Sequence, residues 1–124
     1  DLPIIMADAS LLDQVFTNLL DNALKFSPEG SKITISARTA GHDLIVSIAD
    51  QGQGIAPEMI TRIFDRFYQV KSSNQAQSGA GIGLALCKSI VEAHDGRIWA
   101  KSKGDGQGAT FFIALPITKV EQPA

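Results

Sequence analysis

The 124-residue chain has room for one domain built around one sizeable core. Hydrophobic residues make up 44% and charged residues 19%, a balance that excludes a disordered chain. A net charge of −2 offers no basic surface to nucleic acid or to an anionic membrane, and a single cysteine, Cys87, excludes an intrachain disulfide framework and a cysteine zinc cluster.

After a short apolar stretch, Asp1 to Met6, the residue Asp8 is suited to cap a helix. From Ala9 to Phe26 apolar residues recur at Leu11, Leu12, Val15, Phe16, Leu19, Leu20, Ala23 and Leu24, one stripe of an amphipathic helix. Ser27-Pro28-Glu29-Gly30 ends it, because proline cannot continue the hydrogen-bond ladder. Two alternating runs, Ile33–Arg38 and Leu44–Ala49, follow with Ala40-Gly41-His42-Asp43 as their hairpin turn. Pro57 opens a short helix through Phe64, and Gln69 to Ser78 is a polar loop without periodicity. A further helix runs from Ile82 to His94 and stops at Asp95-Gly96. Arg97–Lys101 and Ala109–Leu115 form a second hairpin, and a polar tail occupies roughly residues 117–124. Hairpins imply antiparallel pairing, so the fold class is α+β: a two-layer sandwich of helices on a mixed, mostly antiparallel sheet, in a single domain.

Of the 11 glycines, eight stand in G-x-G spacings: Gly52/Gly54, Gly79/Gly81/Gly83 and Gly104/Gly106/Gly108. Glycine is required where φ is positive or where backbone must come close to a neighbour. Asp50 precedes the first set at the end of a strand. Its carboxylate can read an exocyclic amine, since it only accepts hydrogen bonds, or it can cap its own turn. The second set opens a helix, and helix N-termini attract anions. The spacing there is G-x-G-x-G behind a polar loop, which excludes a Rossmann cradle, and no P-loop motif occurs. On the first helix, Asn18, Asn22 and Lys25 share one strip at i, i+4 and i+7. They are either a polar helix edge with satisfied amides or the oxygen ligand and ammonium that a phosphate-bound magnesium ion needs.

These segments resemble, in order, the sequence boxes of sensor histidine kinases. Asn18 through Ser27 is similar to the N box, Asp50 through Ile55 to the G1 box, Phe64 through Tyr68 to the F box, and Gly79 through Leu84 to the G2 box. Gly106 through Phe111 resembles the closing glycine-threonine element. The resemblance implies an ATP-binding catalytic domain of the gyrase, Hsp90, histidine-kinase and MutL superfamily, with the Bergerat fold. It further implies ATP and Mg²⁺ as cofactors. Asn22 would hold the metal, with Asn18 and Lys25 at the phosphates and Phe26 beside the adenine. Asp50 would accept from the adenine amine, with Gly52, Gly54, Ile55, Phe67 and Leu84 around the base and Thr110 reaching it. Gly79, Gly81 and Gly83 would form the phosphate-facing end of a lid running from Ile55 to Ala80.

The family's hydrolases carry glutamate at the position of Asn18, and an amide cannot act as a general base. The expected acceptor is therefore a histidine on a separate dimerisation domain of the same protein, with a response regulator downstream. Neither His42, in a turn, nor His94, at a helix end, has the surroundings of that acceptor. The chain then reads as one piece of a longer receptor kinase, working in the cytoplasm, with no nucleic acid partner and no membrane contact of its own. Gln69 stands where the family often has arginine, making Lys71 and Arg66 the candidate replacements in the lid. A non-catalytic nucleotide-sensing module, an ATP hydrolase and a protein serine kinase are the alternative readings.

Overall fold

The computed structural model describes residues 8–65, 80–104 and 106–117. Helix α1 spans Ala9–Phe26. Asp8 caps it as expected: its backbone is extended, and its carboxylate accepts from the Leu11 amide at 3.1 Å. Leu12, Val15, Leu19 and Ala23 form the buried stripe. Ser27 leaves the helix with extended backbone, the conformation that a following proline imposes.

Strands β1 (Thr34–Ala40) and β2 (Asp43–Ala49) form a hairpin closed by Gly41 and His42, with φ positive at Gly41 alone, the pattern of a type II′ turn. Strands β3 (Arg97–Ser102) and β4 (Ala109–Pro116) form the second hairpin. The sheet order is β1-β2-β4-β3 and all its pairings are antiparallel. The parallel component of a mixed sheet is not found among the described residues.

Helix α2 spans Ala80–Ala93, two residues ahead of its expected start. It ends in a Schellman motif, with the Gly96 amide on the Val91 carbonyl and the Asp95 amide on that of Glu92. Asp95, not glycine, takes the left-handed position at φ 62°. Gly96 is needed for another reason, because a Cβ there would run into the Ala114 carbonyl of β4.

Alternation along the strands sends Ile48, Ala100, Phe111, Ile113 and Leu115 onto the helices, where they meet Val15, Leu19, Ile90 and Val91. Each such aliphatic side chain contributes about 1.5–3 kcal/mol on burial. The opposite face carries Trp99 stacked on Phe112, with Arg97 over the indole and Lys101 over the phenyl ring. His94 ties the helices together. Its Nε2 accepts from the Asp8 amide at 3.0 Å, and its Nδ1 lies 2.8 Å from the Ile90 carbonyl.

Between β2 and α2 the expected helix from Pro57 is one 3-10 turn, Pro57–Met59, followed by hydrogen-bonded turns that bury Ile63 and Phe64. No helix among the described residues is long and apolar enough to cross a membrane. The polar loop Gln69–Ser78 and the tail from residue 118 lie outside the described residues.

Candidate functional site

Asp50 follows β2 and prolongs its ladder, donating its amide to the Ala109 carbonyl at 2.8 Å. Its Oδ1 accepts two backbone amides, Gly52 at 2.8 Å and Ala109 at 3.1 Å. Oδ1 caps the turn, and neither of these bonds uses Oδ2.

The glycines beside Asp50 are dictated by packing of backbone on backbone. A Cβ on Gly52 would run into the Phe26 carbonyl, which also accepts from the Gln53 amide at 3.3 Å. Gly54 has φ 78°, and a Cβ there would run into the Gly104 carbonyl. The third glycine set is more than a hairpin turn. Gly106 donates to the Gln53 carbonyl at 2.7 Å and Gly108 to the Gly52 carbonyl at 3.1 Å, so the β3–β4 link zips onto the loop after Asp50.

This zipper forms one wall of a cleft that opens to solvent. Ile55, Ile63, Leu84 and Phe111 make it apolar, while Asp50 and Asn22 supply polar groups and Phe26, Gln53, Gly54 and Ala109 complete the lining. An apolar cleft with a few convergent polar groups suits a flat heteroaromatic ring carrying a donor. Asn22, only 9% exposed, is the buried polar side chain among the described residues. Its amide oxygen is a hard ligand of the kind magnesium accepts alongside phosphate oxygens and water. The described residues contain no cluster of three acidic, histidine or cysteine side chains.

Of the expected site residues, Asn22, Phe26, Asp50, Gly54, Ile55 and Leu84 line one pocket. Asn18 is half-buried at the seam between the helices, where a Cβ added to Gly83 would come to 3.9 Å from its amide carbon. Lys25 is exposed one turn beyond Asn22. Gly81 and Gly83 fall in the first turn of α2, while Phe67, Gly79, Arg66, Gln69 and Lys71 lie outside the described residues.

Gly52 is absent from that lining and packs on the Phe26 carbonyl. Thr110 pairs with Ala49 and Lys101 on the face opposite Phe111 and lines a neighbouring concavity. The pleat aims Ala109 and Phe111 inward instead. These two, with Gln53 and Ile63, were missed. The period-two alternation of β4 pointed to the first pair, while nothing local marks the second.

Residues 7–119 match the family model described as histidine kinase-, DNA gyrase B-, and HSP90-like ATPase. The sensor protein KdpD of Clostridium acetobutylicum is 48% identical over 94% of the chain and 13% of its own length. The adaptive-response sensory kinase SasA of Synechococcus elongatus is 43% identical over 99% of the chain and 32% of its own length. The chain thus spans between an eighth and a third of these curated relatives. Among solved structures, the mycobacterial sensor histidine kinase MprB superposes with a TM-score of 0.83 at 30% identity, over 94% of this chain and 78% of that one. Full-length ShkA in complex with AMPPNP gives 0.80 at 34% identity, over 99% of this chain and 25% of that one. With its family model matched over nearly its whole length, the chain belongs to the histidine kinase-, DNA gyrase B- and HSP90-like ATPases.

Proposed function

We propose that the chain binds ATP with Mg²⁺ and presents the γ-phosphoryl group to a histidine on a separate dimerisation domain of the same protein, in two-component signalling. The observation that carries this reading is the setting of Asp50. One carboxylate oxygen is fixed by two backbone amides, neither bond uses the other oxygen, and the residue lines a pocket whose walls are largely apolar. That is a preorganised acceptor for the adenine amine. The ShkA complex with AMPPNP, a nucleotide on the same fold, supports it.

Asn22 would hold the metal and Lys25 would meet the phosphates, with Gly79, Gly81 and Gly83 at the start of α2. Bound magnesium would neutralise phosphate charge. The chain itself binds, orients and excludes water, so its catalytic contribution is positioning. The imidazole nitrogen attacks the γ-phosphorus, the bond to the ADP oxygen breaks, and the ring proton leaves to solvent.

Asn18 speaks against the hydrolase reading, since an amide cannot deprotonate water. The buried Asn22 speaks against a module that only senses the nucleoside. A response regulator receiver domain is the proposed onward partner and the cytoplasm the proposed setting, as the family resemblance implies.

The test uses labelled ATP with the histidine-bearing domain supplied in trans. Acid-labile, base-stable label on that domain, lost in Asp50→Asn, is the expected result. Steady phosphate release by the chain alone, without transfer, would overturn the reading in favour of a hydrolase.

A further inference from the structure

The end of β3 holds a residue that the nucleotide reading does not use. The Ser102 hydroxyl accepts from the Ile55 amide at 2.9 Å and from the Gly104 amide at 3.2 Å, and it lies 2.7 Å from the Gly108 carbonyl. A hydroxyl has one proton and two lone pairs, and all three are committed here. The Gly104 carbonyl, 3.5 Å away, is the poorer acceptor for that single proton.

The partners lie on both sides of the base pocket. Ile55 is one of its apolar walls. Gly108 precedes Ala109, whose amide fixes Oδ1 of Asp50, and Gly108 itself packs on the Asp50 carbonyl. Ser102 therefore couples the position of the wall to the orientation of the carboxylate, although it does not line that pocket itself.

We propose that Ser102 is a positioning residue for base recognition, setting selectivity for a purine that carries an exocyclic amine. This rests on the nucleotide-site reading above. Without the hydroxyl the Ile55 and Gly104 amides lose their acceptor, the zipper between the two glycine loops loosens, and Asp50 reads the base less sharply. Side chains that touch the ligand remain unchanged.

The experiment compares affinities of the 124-residue chain for ATP and for inosine triphosphate, which lacks the amine, in wild type, Ser102→Ala and Ser102→Thr, with thermal melts of each. Ser102→Ala is expected to weaken ATP roughly tenfold, the order of one or two hydrogen bonds, while inosine triphosphate weakens less. The ratio of the two affinities then falls by at least about threefold, and Ser102→Thr restores it. A residue that only stabilises the fold would lower the melting temperature without moving that ratio. If Ser102→Ala does not fold, Ser102→Cys keeps the volume with a poor donor and acceptor and is held to the same ratio. A folded variant with unchanged ratio overturns the inference alone. A wild-type chain that fails to prefer ATP over inosine triphosphate overturns the nucleotide-site reading together with it.

Discussion

Gly54 and Gly106 have nearly the same positive φ, 78° and 75°, yet they serve different ends. At Gly54 a Cβ meets the Gly104 carbonyl, whereas at Gly106 there is open space. Left-handed backbone costs an L residue about 1–2 kcal/mol, and the collision adds a similar amount. Gly106→Ala should therefore lower stability by about 1 kcal/mol and Gly54→Ala by about 3 kcal/mol, read from urea unfolding midpoints. Comparable losses would mean that the zipper yields to a methyl group. Cys87 offers a second test at this scale. It is wholly buried, its thiol 3.7 Å from the Val15 carbonyl, and desolvation raises its pKa from 9.0 to about 11, against a lowering by Asn18. Because the folded state holds that proton more tightly, its contribution is complete below pH 9 and is lost as pH rises toward 11. The loss is up to about 3 kcal/mol. Stability measured from pH 8.5 to 11 should fall less steeply in Cys87→Ala than in wild type, and iodoacetamide should leave the native thiol unmodified at pH 8.

At the scale of elements, what can be read from sequence is what local physics decides. The cap at Asp8, the stripe of α1 and the stop before Pro28 rest on neighbours within a few residues, and all three were legible. So was the Gly41 turn. The run after Pro57 looked helical because its side chains suit a helix, but burial of Ile63 and Phe64 against the core favoured a 3-10 turn and its followers. Three of the glycines, Gly52, Gly54 and Gly108, were legible as special but not in their role, since their contacts lie on chain segments distant in sequence. The same holds for Ser102. At the site, Asp50 and Asn22 were visible through their motifs, while the face that Thr110 takes on β4 follows from strand register, which no short motif fixes. The end of α2 carries a prediction of its own. Asp95 occupies the left-handed position of a Schellman motif that glycine fills without strain. Asp95→Gly should stabilise the chain by roughly 0.5–1 kcal/mol, seen as a higher urea midpoint at unchanged slope. Destabilisation would instead assign the aspartate carboxylate a contact worth more than the strain.

For the whole molecule, the pocket lies where three separate pieces end: the last turns of α1, the loop leaving β2, and the β3–β4 link folded back onto it. The core below is complete without a ligand, because Val15, Cys87, Val91 and Ile113 are packed among themselves at the helix–sheet interface. Nucleotide binding therefore adds to a formed fold, and mass action fixes how much. At a hundred times the dissociation constant a ligand confers about 2.7 kcal/mol. Unfolding entropy of about 2.1 cal/mol/K per residue over 124 residues turns that into a rise in Tm of about 10 °C. ATP with Mg²⁺ should produce a shift of this size in wild type, as measured by differential scanning calorimetry. Asp50→Asn keeps an oxygen for the Gly52 and Ala109 amides but turns a donor toward the base, so it should melt near wild type without ligand and shift little with it. Withholding Mg²⁺ separates the two ends of the site. On the proposed reading, a shift that survives without metal would be carried by the base at Asp50, and the remainder would belong to the phosphates at Asn22 and Lys25. A shift in Asp50→Asn as large as in wild type would move the base out of this pocket.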